Sequence, residues 1–179
     1  MLRERAERYI ARVATDLGPD SFWAVRIGSG SLVEALYPSA WDGGRGNSYW
    51  AYDAAAQGGY GRPDSIPPAP YPGWRPGQTS YNGRNVSTAQ VREWYDWYLG
   101  ALVDGIRWQV NTYNLYGYTG HKQILMPGLG SRPAEYEAAI SSRLNGDGDP
   151  YGNLARGAAW NRVLDRLADI RGIVAYVSS

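Results

Sequence analysis

The sequence predicts an α/β fold in which helices alternate with about three parallel strands. Three observations predict it: short β-rich runs recur three times, segments of helical periodicity lead into them, and turn residues punctuate the junctions. Leu2, Ala6, Tyr9, Ile10, Val13 and Leu17 recur at helical spacing between charged residues, so 2–17 is an amphipathic helix that Gly18-Pro19 stops. The run 22–27, Phe-Trp-Ala-Val-Arg-Ile, has the composition of a buried parallel strand. A loop is expected over 28–47, followed by a short helix over Ser48 to Gln57.

From about 58 to 86 the chain is dense in Gly, Pro, Tyr and Trp, with Pro67, Pro68, Pro70, Pro72 and Pro76, which excludes a regular helix or central strand. The richness in rings points to an ordered inserted loop rather than a disordered one. Ser87-Thr88-Ala89-Gln90 has the form of a capping box and opens the longest helical pattern, which carries Val91, Trp94, Tyr95, Tyr98, Leu102, Ile106 and Tyr113 to a stop at Gly117. A second strand follows over Lys122 to Met126, then helical stretches over about 133–144 and 153–169, and a last strand over Ile173 to Val177. Such a series leaves two sheet edges, which another protein chain or a second copy is expected to cover.

Composition narrows the function. The 179 residues make one domain, 1–179, and 18 Lys+Arg against 17 Asp+Glu leave a net charge of +1, which gives no general attraction to nucleic acid or to an anionic membrane. No signal-peptide pattern and no apolar run of membrane-spanning length is visible, so a soluble chain without membrane insertion is expected. Without cysteine there is no disulfide, thiolate metal site or cysteine nucleophile. The single histidine, His121, gives little support to a Ser-His-Asp triad or a histidine metal site and reads as structural. Gly28-Ser29-Gly30-Ser31 lacks the lysine of a P-loop and the third glycine of a dinucleotide fingerprint. Asn145, Asp147 and Asp149 alternate like calcium ligands, but Pro150 and Arg156 stand where the turn glycine and closing glutamate belong. No metal or cofactor is expected. Asn85-Val86-Ser87 has the form of a glycosylation sequon and no more.

The 8 Trp and 15 Tyr beside one Phe are the compositional exception. Their rings join an apolar face to a polar tip, which suits a hydroxylated ligand with C–H faces, such as a sugar. The segment 23–39 runs strand, small-residue turn, then Glu34 beside Leu36-Tyr37-Pro38. It is similar to the segment of β-amylase-like and β-galactosidase-like (β/α)8-barrel glycoside hydrolases that delivers a general-acid glutamate at a strand's carboxyl end. Trp94 to Tyr98, Trp108-Gln109 and Gly117 to Gly120 before the second strand resemble the step that follows there.

That resemblance implies a partial (half) (β/α)8 barrel of about three parallel strands, the chain being shorter than the roughly 250 residues of a complete one, with Glu34 as proton donor and carbohydrate as partner. Tyr37, Trp41, Trp50, Tyr60 and Trp74 would be the stacking rings. A general acid of this kind needs low-polarity surroundings that keep its proton on, which Trp23, Tyr37 and Trp41 would supply, and a second carboxylate to work with. The partner carboxylate of the resembled barrels would come from a later strand than this chain holds; Asp42, Asp53 and Asp64 share the loop side with Glu34, and spacing selects none of them. Two classes follow: a hydrolase piece completed by another segment or chain, and a non-catalytic glycan-binding or structural component. The composition also resembles sequences of actinobacteria and the tail proteins of their phages, which implies a virion component as one form of the second class.

Overall fold

The computed structural model describes residues 2–28, 34–38, 48–62, 64–147, 149 and 152–178. Helix α1, Leu2–Leu17, ends at Gly18, whose φ of 76° takes the chain out of the helix. Strand β1, Ala24–Ile27, follows. The excursion after it contains a small hairpin, β2 (Ser80–Tyr81) and β3 (Arg84–Asn85). Its turn is Asn82-Gly83, with φ of 49° and 74°, the pairing that a two-residue hairpin favours; this dipeptide was the sequence signal for it. Helix α2, Thr88–Leu115, opens with the expected capping box: Ser87 Oγ accepts from Gln90 N at 3.3 Å and Gln90 Oε1 from Ser87 N at 3.0 Å. Then come β4 (His121–Pro127), α3 (Pro133–Ser141), α4 (Trp160–Asp165) and β5 (Ile173–Ser178).

β1, β4 and β5 form one parallel sheet in that order. β1 and β4 come close where they begin, with His121 N donating to Trp23 O at 3.0 Å, and Gly120 is required there because a Cβ would lie 2.5 Å from that carbonyl oxygen. The register aligns Val25 with Lys122 and Ile173, and Ile27 with Ile124 and Ala175, so these share one face. That face joins α2, α3 and α4 in a single core with Ile106, Val110, Ile140, Val163 and Leu167. The opposite face carries Arg26, Gln123, Val174 and Tyr176, the last two exposed. All helices of both crossovers therefore lie on one side, which is singly wound α/β topology.

Two expected helices are corrected. Over 48–57 the chain makes turns instead, because Asp53 Oδ1 takes the Ala56 N–H at 3.0 Å and Gln57 Nε2 donates to Ala51 O at 2.6 Å, which closes the segment locally. Over 153–169 only 160–165 is helical. The earlier part is a turn bound to Asp149, whose two carboxylate oxygens accept from Asn153 N at 2.8 Å and Leu154 N at 2.7 Å, and it ends in Gly157 at φ 80°. Helix α3 stops at Ser141 rather than 144, since Arg143 and Leu144 adopt φ of 58° and 56°.

With 28 residues α2 is about 42 Å long against roughly 13 Å for the four residues of β1. Gly28 N donates to Gln109 Oε1 at 3.1 Å, which sets the end of β1 level with the last two turns of α2. The N-terminal part of α2 thus projects past the carboxyl end of β1, and the loops pack around it the aromatic part of the same core, Tyr49, Trp74, Trp94, Tyr95, Tyr98 and Tyr136. Trp94 is its hub, with the rings of Tyr49, Trp74, Trp97 and Tyr98 centred 5.4–5.8 Å away. Among the described residues no helix is long and apolar enough to cross a membrane.

Candidate functional site

Glu34 follows β1 and reaches the carboxyl end of the sheet, the side on which parallel α/β folds place their ligands. It is buried, and its Oε2 accepts from Arg156 Nη2 at 3.2 Å, the two side chains being 10% and 18% exposed. The turn 153–157 supplies that guanidinium because Asp149 holds its start, and the two loops are joined again where Tyr37 N donates to Arg156 O at 2.9 Å. Arg156 Nε is buried without a partner among the described residues. Burial holds the Asp149 carboxyl above its ordinary range, against the two backbone N–H groups that favour the anion. The hydrogen-bond partner of Glu34 among the described residues is thus a cation, where the sequence reading expected the rings of Trp23, Tyr37 and Trp41. Trp23 instead lies exposed, its ring edge-on to His121 with centroids 5.0 Å apart.

The other predicted residues that are described separate into three places. Tyr37 and Trp50 meet: together with Asp53, Arg62, Trp97 and Tyr98 they line a hollow of about 270 Å³ over the flank of α2. Tyr37 is half-buried, its ring stacked on Tyr98 at 4.4 Å and its hydroxyl donating to Tyr98 O at 3.0 Å. Trp50 is 54% exposed, and its Nε1 donates to Pro38 O at 2.9 Å. Trp97 Nε1 donates to Pro67 O at 2.7 Å, while Tyr98 OH donates to Ala155 O at 2.6 Å and accepts from Trp50 N at 3.2 Å. The tips are thus spent on backbone, and burial pushes the Tyr98 hydroxyl far above its ordinary pKa, so these phenols offer surface rather than acid–base chemistry.

Trp74 is in the core at 1% exposure, with both ring faces unavailable to a ligand. Tyr60 stands fully exposed beside a broad surface depression with Leu2, Arg3 and Asp64, which shares Arg62 with the hollow of Tyr37 and Trp50. Trp41, like Asp42, lies outside the described residues. No group of three or more His, Asp or Glu is placed to hold a metal ion among the described residues.

Sequence reasoning overlooked Arg156, Trp97 and Gln109. Trp97 stands off the apolar stripe of 91, 94, 95, 98, 102 and 106, and that displacement was the available signal for a ring on a different face of α2. Arg156 had none, because its place opposite Glu34 depends on a turn anchored by Asp149.

No protein-family model, curated protein or solved structure matches the chain.

Proposed function

We propose that the protein is a non-catalytic carbohydrate-binding component whose sugar site is the hollow between Tyr37, Trp50, Trp97 and Tyr98. The observation that carries this reading is the convergence of three rings with accessible surface, Tyr37, Trp50 and Trp97, over the buried Tyr98, together with one carboxylate and one guanidinium on a single concavity. Flat apolar faces meet the C–H side of a pyranose, and Asp53 and Arg62 supply an acceptor and a donor for its hydroxyls. Trp50 is the ring with most of its surface free and is therefore the stacking platform.

Glu34 supports binding better than hydrolysis. A proton donor works from low-polarity surroundings, whereas this carboxylate is buried against a guanidinium and ties the loop after β1 to the turn after α3. The helices gathered on one face of the sheet support the partial-barrel reading, in which Arg26, Gln123 and Tyr176 would face the barrel interior and β1 and β5 would pair with strands of another chain or copy.

The test is retention of the chain on amylose, cellulose, chitin and xylan, with soluble products assayed in the same incubations. Retention without products is expected, with Trp50→Ala weakening it about tenfold, the equivalent of roughly 1.4 kcal/mol, and Glu34→Gln leaving products at zero. Products that disappear in Glu34→Gln would establish the hydrolase instead, and no retention on any of the four would remove the carbohydrate reading.

A further inference from the structure

The hollow just described does not stop at Tyr37. Tyr37 and Ala101 also line a second hollow of about 160 Å³, together with Gly28, Leu102, Gly105 and Gln109. We infer that the site takes a chain of linked sugar units rather than a single one, laid along one face of α2 from Trp97 to Gln109. This rests on the carbohydrate reading above and names the form of its ligand.

Three observations carry it. Trp97, Ala101, Gly105 and Gln109 follow one another at four-residue intervals, so they share a stripe of the helix roughly 18 Å long. The two hollows, of about 270 Å³ and about 160 Å³, share Tyr37 and Ala101 in their walls, and together they come within the range of small-molecule sites, which begins at roughly 300 Å³. The floor is kept low by residues that cost the helix stability, since glycine in a helix interior is unfavourable. Among the described residues a Cβ on Gly105 would meet nothing within 4 Å, so their packing does not demand the glycine.

At the far end of the stripe Gln109 is already oriented. Its Oε1 accepts from Gly28 N at 3.1 Å, which turns the amide nitrogen away as a donor for a hydroxyl. Tyr37 lines both hollows, its ring fixed on Tyr98. The ligand is therefore an oligosaccharide with an aromatic-walled subsite beside Trp50 and Trp97 and a narrower, aliphatic one over Gly105.

Titration calorimetry with three ladders tests this: glucose, maltose and maltotriose; glucose, cellobiose and cellotriose; N-acetylglucosamine and its β-1,4-linked dimer and trimer. In a ladder that binds, the trimer should bind at least about tenfold more tightly than the single sugar. Gly105→Leu, which fills the second hollow, should bring that ratio close to one, and Gly105→Ala, which fills it less and favours the helix, should give an intermediate ratio. A trimer no tighter than its monomer, or a ratio that neither variant changes, overturns the inference while leaving the single-sugar site standing. If no member of any ladder binds, the carbohydrate reading and this extension fall together.

Discussion

Arg156→Met tests whether Glu34 is committed to architecture. The substitution keeps most of the stem and removes the guanidinium, which leaves a carboxylate whose side chain is only 10% exposed without its cation. Breaking a buried pair from one side costs about 3–5 kcal/mol, and the single 3.2 Å hydrogen bond here argues for the lower end, about 3 kcal/mol. For a domain of this size that corresponds to a fall in Tm of roughly 6–12 °C. Glu34→Gln retains an acceptor for Arg156 and should cost about 1 kcal/mol. Because both variants remove the ion pair, the double variant should be less destabilised than the sum by about 1–3 kcal/mol.

Urea unfolding followed by tryptophan fluorescence and far-ultraviolet circular dichroism measures all four proteins. The effect should also persist in high salt, since a pair shielded from water is screened little. Costs below about 1 kcal/mol that add in the double variant and fade with salt would be those of an exposed ion pair. Glu34 would then be free for chemistry, and the case against its role as proton donor would fail.

Two glycines and one carboxyl give further expectations. Gly100→Ala, in the interior of α2 with open space at its Cβ, should raise stability by about 0.5–1 kcal/mol, whereas Gly157→Ala, at φ 80° with a Cβ 2.6 Å from Leu102 Cδ2, should lower it by about 1–3 kcal/mol; urea unfolding reads both, and a stabilised Gly157→Ala would contradict the turn geometry. Asp149 titrates above its ordinary 3.8 when folded, so the folded state holds this proton more tightly than the unfolded one. Its contribution to stability is full below pH 3.8 and is lost as pH rises through the folded value. Asp149→Asn should remove that component from the stability profile above pH 3.8, and an unchanged profile would refute it.

How far the fold was legible in the sequence depends on where its information lies. The strands at Ala24–Ile27, His121–Pro127 and Ile173–Ser178 and the capped start of α2 rest on local composition and caps, and were readable. The turns over 48–57 and 153–157 were read as helices because their periodicity is helical. What overrides it is specific: Asp53 and Asp149 capture backbone N–H groups, and Gly157 takes a left-handed conformation that releases the turn. The site was legible in part for the same reason. Tyr37 and Trp50 were marked by type, but Arg156 joins Glu34 across 122 residues through a turn that depends on Asp149.

The aromatic composition has a second cause, and it separates the rings that hold the structure from those free to bind. Above the sheet the chain is mostly loop, and loop carbonyls have no ladder to satisfy them. Tyr and Trp supply donors that the apolar ring of Phe lacks. Tyr95 OH donates to Leu154 O, Tyr98 OH to Ala155 O, Tyr52 OH to Trp74 O, Trp74 Nε1 to Gln78 O, Trp97 Nε1 to Pro67 O and Trp160 Nε1 to Leu129 O, all at 2.6–3.3 Å. Trp74, Tyr95 and Tyr98 bury their rings in the core, and each of the six fastens one loop by its tip. An excess of Tyr and Trp over Phe is therefore what a loop-built core over a short sheet requires, and by itself it says nothing of sugars. The carbohydrate reading must rest on the rings left with a free face, and among those lining the hollow beside α2 that condition selects Trp50 first.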